Sequence, residues 1–260
     1  MRRLLAMAVL ALGLVWVAPG AAITGGTQDG ENHPYVAFVR NTQFACTAAA
    51  ISPTVLVTAA HCFTFPQDRV WVTFNTNRRS VPFPAGFLTG TWFAHPEFCQ
   101  ATDTCAHGLV GFDSHDVAVI VLDNPVVLPR YAQLPSLGQS DGLPNGSQVD
   151  SVGYGVEDFV LGGGKPTPAT TSGFRNIAPA NIVPGGNGAI RDEYLKLSAN
   201  HSQGKGGTCF GDSGGPNLLA GTDTILSVNS FVTNGRCNGV TYSNRIDVGY
   251  ALDFIDGFLP

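Results

Sequence analysis

The chain has 260 residues and a formal net charge of -5, with 14 Lys and Arg and no basic run, which excludes an electrostatic binder of nucleic acid or anionic membrane. At 44% hydrophobic it is not a disordered chain, and its 32 glycines follow no three-residue period, so it is not collagen-like. Only 13% of residues are charged, and 17 prolines add to the glycines, a composition that predicts a turn-rich chain around a true core.

Taken from the amino terminus, Arg2 and Arg3 open an apolar run over residues 4–17 that ends in Gly20, Ala21 and Ala22, the pattern of a secretory signal with a small-residue cleavage site. The run is too short to span a bilayer comfortably, so a cleaved signal is expected, with Ile23 as the new terminus. Removal leaves about 240 residues, enough for one large β domain or two barrels. Export puts the six cysteines in an oxidising compartment, where an even set reads as disulfides. Spacing pairs Cys99 with Cys105; arithmetic does not choose the remaining partners. No paired C-x-x-C occurs, so a zinc site is not expected.

Short apolar, β-branched or aromatic runs predict strands at 35–39, 55–58, 70–74, 117–122, 148–152, 194–197 and 225–231. Turn residues separate them at Ser52-Pro53, 82–84, Asn145-Gly146 and 185–188. Strands without helical periods between them predict an all-β sandwich or barrel. The strand signal lapses over 128–141, a candidate crossover between halves, and 162–188 reads as long surface loops. Only 247–258 has helical spacing, with Val248, Ala251, Leu252 and Ile255 on one face.

Three stretches carry chemistry. In Gly211-Asp212-Ser213-Gly214-Gly215-Pro216, glycines on both sides of one serine allow a tight turn that exposes its hydroxyl beside backbone N–H groups. Serine is a weak nucleophile without a base, and the base needs a group to fix its tautomer. Thr58-Ala59-Ala60-His61-Cys62 offers an imidazole at the end of an apolar strand, and Asp116 opens another, where a carboxylate is costly unless hydrogen-bonded. His115 is expected to point to the opposite face of that strand from Asp116. His33, His95, His107 and His201 lie in no motif and read as surface or loop residues.

Together, in the order His61, Asp116, Ser213, these motifs closely resemble the chymotrypsin-like (trypsin-like) serine proteases over nearly the whole chain after the signal. The resemblance implies two six-stranded antiparallel barrels, about 23–130 and 131–245, with a C-terminal helix at 246–258. It implies that Ser213 attacks the scissile carbonyl, His61 moves its proton, Asp116 orients His61, and the N–H groups of Gly211 and Ser213 hold the oxyanion. It pairs Cys46 with Cys62 and Cys209 with Cys237, and matches Gly153-Tyr154-Gly155 to a Gly-Trp-Gly of the family. Ile23 would supply an α-ammonium to Asp212; with the signal cut directly before Ile23, export alone would activate the chain. Gly207, with no carboxylate, would lie at the base of a P1 pocket completed by Thr208, Ser230, Val232 and Val240, favouring small apolar side chains over Arg or Lys. The implied protein is a secreted monomeric endopeptidase acting on proteins or peptides, with no metal, cofactor, nucleic-acid or membrane partner. An inactive scaffold and an esterase are the rival readings; the G-x-S-x-G elbow of α/β hydrolases is absent.

Overall fold

The computed structural model describes residues 23–63, 69–101, 112–160, 167–185, 188–199 and 206–260, with backbone alone at 158–160, 167–170, 188–189 and 199. The predicted signal, Cys105 with its expected bridge to Cys99, His107 and His201 lie outside the described residues.

The strands are β1 (Thr27–Gln28), β2 (Val36–Arg40), β3 (Ala45–Ala50), β4 (Val55–Thr58), β5 (Arg69–Thr73), β6 (Leu88–Ala94), β7 (Ala118–Leu122), β8 (Gln148–Gly153), β9 (Asp158–Val160), β10 (Thr167–Thr170), β11 (Asn176–Asn181), β12 (Tyr194–Ala199), β13 (Pro216–Leu219), β14 (Ile225–Val232) and β15 (Gly239–Arg245). Among the described residues the α-helices are α1 (Gly188–Glu193) and α2 (Gly249–Asp256).

β2 to β7 form a closed barrel in the order β2-β3-β4-β7-β6-β5. Their apolar alternation fills it with residues such as Val36, Ala48, Leu56, Val70, Trp92 and Ile120, all buried. Burial of these side chains stabilises the barrel by about 1.5–3 kcal/mol for each large aliphatic or aromatic group. The second sheet runs β1-β11-β8-β13-β14-β15-β12. Six of its strands curl towards a second barrel, where β11 and the residues after it meet β12 through the bridge between Ile182 and Leu197, the bond from Val183 N to Lys196 O at 2.9 Å and that from Asn181 N to Ser198 Oγ at 3.0 Å, and β1 is added outside as a seventh strand. The two-barrel expectation therefore holds with one barrel closed by full ladders and the other a half-barrel joined by these few bonds. The ladder on β11 opens there because Pro184 follows within two residues and has no N–H to extend the pairing.

Residues 162–188 were expected as loops, yet they contain β10, β11 and the start of α1. β11 alternates buried and half-buried residues, but its inward positions are Asn176, Ala178 and Ala180, side chains of low strand propensity. β3 (ACTAAA) carries no strong signal for the same reason. α2 forms where helical spacing predicts it, seating Ala251 and Ile255 against the core.

The barrels meet over buried polar pairs. Arg175 and Asp29, both buried, form an ion pair at 2.8 Å, and the guanidinium also donates to the carbonyls of Val36 and Phe74. Such a pair is costly to break, since either charge alone would lie desolvated.

Candidate active site

The ladder between β4 and β7 sets the first half of the site. Thr58 pairs with Ala118, so the turn after β4 and the loop before β7 leave the barrel at one end. His61 sits in the short 3-10 turn Ala60–Cys62, anchored by the disulfide from Cys62 to Cys46 on β3. Asp116 is two residues before β7 and fully buried. Its Oδ1 accepts the backbone N–H of His61 at 2.9 Å, its Oδ2 takes His61 Nδ1 at 2.7 Å, and Ser230 Oγ donates to the same Oδ2. Burial pushes the Asp116 carboxyl up, but the His61 charge and these three donors outweigh it and hold it below the usual range. Conversely, burial favours neutral His61, while the charge and hydrogen bond of Asp116, with a further contribution from Asp113, raise it above the ordinary histidine value.

The second barrel brings the serine. The turn 210–215 precedes β13, and its glycines let it press against the first barrel: a Cβ on Gly214, at φ 74°, would stand 2.0 Å from Thr58 Oγ1. Thr47 N on β3 donates to Ser213 O at 2.9 Å, stitching the turn across the junction. Ser213 and His61 line one cavity of about 310 Å³ with Thr208, Ser230, Phe231 and Val232. Among the described residues, the N–H groups of Gly211 and Ser213 donate to no backbone acceptor. Gly211 has φ 96°, conformational space open to glycine.

Asp212 points the other way, into the protein. It is fully buried, accepting Gly155 N at 2.8 Å and Cys209 N at 2.9 Å, and burial pushes its carboxyl up to about 7 despite those donors. Ile23 is also fully buried, and Thr24 beside it exchanges two backbone hydrogen bonds of 3.0 Å with Gly207. The segment holding Ile23 is thus tied to the one that leads through Cys209 to Asp212. Cys209 is bridged to Cys237.

Of the predicted pocket residues, Thr208, Ser230 and Val232 line the cavity, whereas Gly207 and Val240 are not among the residues lining it. Val240 sits on β15 opposite Ser198. Two residues escaped the sequence reading. Phe231 lies on the cavity wall, stacked on Tyr242 at 5.0 Å and edge-on to Phe112 at 4.9 Å, a cluster joined only by folding. Asp113 is the other: its carboxylate, Asp116 and a His61 ring nitrogen lie within 4.8 Å of one another. Ala101 N donates to Asp113 Oδ1 at 2.7 Å, and Tyr194 OH to its backbone carbonyl. With Asp116 taken by three donors and His61 Nδ1 turned to it, this donor set suits proton transfer better than metal ligation.

His95 lies in a loop directly after β6, but it is buried and stacks on His115 at 5.0 Å. His115, at φ 53°, packs between that ring and Tyr250 of α2. A larger cavity of about 590 Å³, lined in part by Asn145, Ile182, Arg191 and Lys196, shares no residue with the site.

A family model described as Trypsin matches residues 22–255. The chain is 29% identical to the cercarial protease of Schistosoma mansoni, over 88% of this chain and 86% of that protein, and 25% identical to tonin of Rattus norvegicus, over 82% of each. Among solved structures, HL collagenase superposes with a TM-score of 0.66 at 20% identity, covering 93% of this chain and 97% of that one. Human heparin binding protein superposes at 0.63, also 20% identical, covering 90% and 96%, and both likenesses are of fold. With the family match spanning nearly its whole length, the chain belongs to the trypsin family of chymotrypsin-like serine endopeptidases.

Proposed function

We infer that the protein is a secreted endopeptidase that cleaves peptide bonds through an acyl-enzyme on Ser213. His61 Nε2 takes the Ser213 proton as Oγ attacks the scissile carbonyl and returns it to the leaving amine; Asp116 fixes the tautomer and stabilises the imidazolium. The N–H groups of Gly211 and Ser213 receive the oxyanion, each donor worth on the order of 10²- to 10³-fold in rate. This reading rests on Asp116: a fully buried carboxylate bonded to both the backbone and Nδ1 of His61 leaves Nε2 as the nitrogen available to Ser213.

Activation follows from the buried ends. Cleavage before Ile23 creates an α-ammonium beside Asp212, whose carboxyl, pushed up to about 7 by burial, gains a charged partner and ionises. The two bonds between Thr24 and Gly207 support that approach. Substrates are proteins or peptides with a small apolar P1 side chain, a reading supported by Val232 on the cavity wall and by the lack of a carboxylate among the described residues that line it. The enzyme acts as a monomer and draws on no cofactor.

The test exposes the secreted protein and its Ser213→Ala variant to a fluorophosphonate probe and to a denatured protein substrate. Labelling and cleavage that both vanish in the variant are expected. Labelling without cleavage points to an esterase, and neither points to an inactive scaffold. Mass spectrometry of the active protein should find Ile23 at its terminus; an active enzyme starting elsewhere overturns the activation scheme.

A further inference from the structure

The N–H groups of Gly211 and Ser213 belong to the peptide units that join Phe210 to Gly211 and Asp212 to Ser213. A peptide unit is planar and trans, so its N–H points opposite to its C=O, and whatever holds the carbonyl aims the N–H. Val156 N donates to Phe210 O at 2.9 Å, so a backbone donor from outside the turn fixes the first unit. The carbonyl of Asp212 takes two donors, Gly215 N at 2.8 Å within the turn and the side-chain Nδ2 of Asn229 at 3.1 Å. The second unit is thus held by a side chain from another strand.

Asn229 lies on β14 and is buried, where an amide is costly unless bonded. Its main chain also holds the turn: its N–H donates to Gly215 O at 2.9 Å, and its carbonyl accepts Gly214 N at 2.8 Å. The orientation of its amide follows from donor and acceptor chemistry. Asp212 O can only accept, so Nδ2 faces it and Oδ1 turns inward, where Asn217 Nδ2 donates at 2.8 Å and Ser243 Oγ at 3.4 Å. Asn217, on β13, is held in turn: Ser151 Oγ on β8 donates to its Oδ1, and its Nδ2 lies 3.2 Å from Ser227 Oγ and 2.9 Å from Ser243 Oγ. All five side chains are buried. A bonded polar chain from β8 to β15, with nothing but other core groups around it, leaves Asn229 one orientation. The strand then bulges at Ser230, since Asn229 pairs with Ser243 and Phe231 with Tyr242. Consecutive residues serve both ends of the catalytic group, Asn229 the serine turn and Ser230 the Asp116 carboxylate.

We propose that Asn229 is a positioning residue for the oxyanion: its amide, oriented by Asn217, holds the Asp212 carbonyl so that the Ser213 N–H points at the oxygen of the scissile carbonyl. As Ser213 Oγ bonds to the carbonyl carbon, its proton passes to His61 Nε2 and the electron pair of the C=O bond moves onto oxygen. The N–H that receives this charge needs no reorientation, and it is the more polarised because Asp212 O is already bonded. The proposal rests on the endopeptidase reading and deepens it.

The test compares the parent with Asn229→Leu, a near-isosteric change that removes the donor while Asn217 keeps Ser227 and Ser243 as acceptors. Sites are counted by fluorophosphonate labelling run to completion, so unfolded protein does not register as lost turnover. The kcat per site should fall about 10- to 100-fold, less than the loss of a whole oxyanion donor, with KM little changed. A peptidyl trifluoromethyl ketone with the P1 side chain of the best-cleaved peptide adds Ser213 to form an oxyanion, and its affinity should fall by a similar factor. The matching alcohol forms no adduct and should bind both proteins alike. Unchanged kcat and ketone affinity, or equal losses for ketone and alcohol, would overturn the proposal. Nitrogen-15 NMR of the parent needs no variant to fold: the Ser213 N–H and Asn229 Nδ2–H protons should both move when the ketone adds, and far less with the alcohol. Asn229 protons that stay in place would also overturn it. A parent that cleaves no peptide and holds the ketone no tighter than the alcohol fails the endopeptidase reading, whereas an active parent beside an indifferent variant fails this proposal alone.

Discussion

The carboxyl of Asp212 occupies the space that a side chain on Gly155 would need. A Cβ there would lie 2.6 Å from both Cγ and Oδ2, and the Gly155 N–H donates to Oδ1 at 2.8 Å. Gly153 is constrained in the same way, its absent Cβ falling 2.1 Å from Oδ1. The two glycines around Tyr154 are therefore the receptacle of the Asp212 carboxyl. Gly155→Ala should destabilise the protein by about 1–3 kcal/mol, the usual cost of overpacking, and reduce kcat/KM as the 210–215 turn shifts. Thermal unfolding and peptide hydrolysis together check this; a variant unchanged in both would contradict it.

Asp116→Asn should lower kcat by on the order of 10³- to 10⁴-fold with little change in KM, because an amide can donate to His61 Nδ1 and so favour the wrong tautomer. Steady-state kinetics on one peptide substrate are sufficient. Ser230→Ala, which removes one of three donors to Asp116, should have a smaller effect in the same direction.

Asp113 should be visible in the pH profile. Its negative charge adds to that of Asp116 in raising His61, and the proposed proton transfer needs neutral His61. Removing the charge lowers the His61 pKa, so Asp113→Asn should move the acid limb of kcat/KM to lower pH while leaving the plateau largely unchanged. Asp113→Glu should restore the limb, and high salt should shrink the difference between parent and variant.

Asp212 predicts a stability trend with pH in the extended chain that is lost in the chain cleaved before Ile23. In a chain extended ahead of Ile23, the folded carboxyl sits at about 7, above its unfolded value of 3.8. Between these values the unfolded state has released a proton that the folded state retains, so stability falls as pH rises from about 4 to about 7. Asp212→Asn should abolish that contribution in the extended chain. Once the Ile23 ammonium is free, the carboxylate is the favoured form in the folded state as in the unfolded one, so the fall in stability between pH 5 and pH 7 should disappear. Unfolding midpoints of both forms at pH 5 and pH 7 give the comparison.

Val232→Gly should open the cavity beside Ser230 and Phe231 and shift P1 preference from small towards larger apolar side chains, by about 1–3 kcal/mol in relative kcat/KM. A peptide library read by mass spectrometry would show the shift. Val240→Gly should shift it less, because Val240 does not line the cavity.

Much of the architecture was legible where β-branched and aromatic residues cluster. β4 has the bounds its apolar run suggests, and α2 lies inside the predicted helical tail. β3 and β11 were not legible because residues of low strand propensity, Ala in β3 and Asn and Ala in β11, fill their buried positions. His95 read as a surface or loop residue, and it is in a loop; its burial was not legible, because a lone histidine carries no sign of the ring from His115 that stacks on it.

The sequence by itself determined the kind of chemistry. A serine between glycines, a histidine closing an apolar strand and an aspartate opening another are local patterns, set by what a tight turn or a strand end tolerates. Tertiary structure alone decided which groups act on them. Ser230 bonding to Asp116, Asp113 beside His61 and Phe231 on the cavity wall join residues far apart in the chain. The reason is physical: Coulomb and dispersion forces depend on distance in space, and only the register of the ladders and the packing of the two barrels sets those distances.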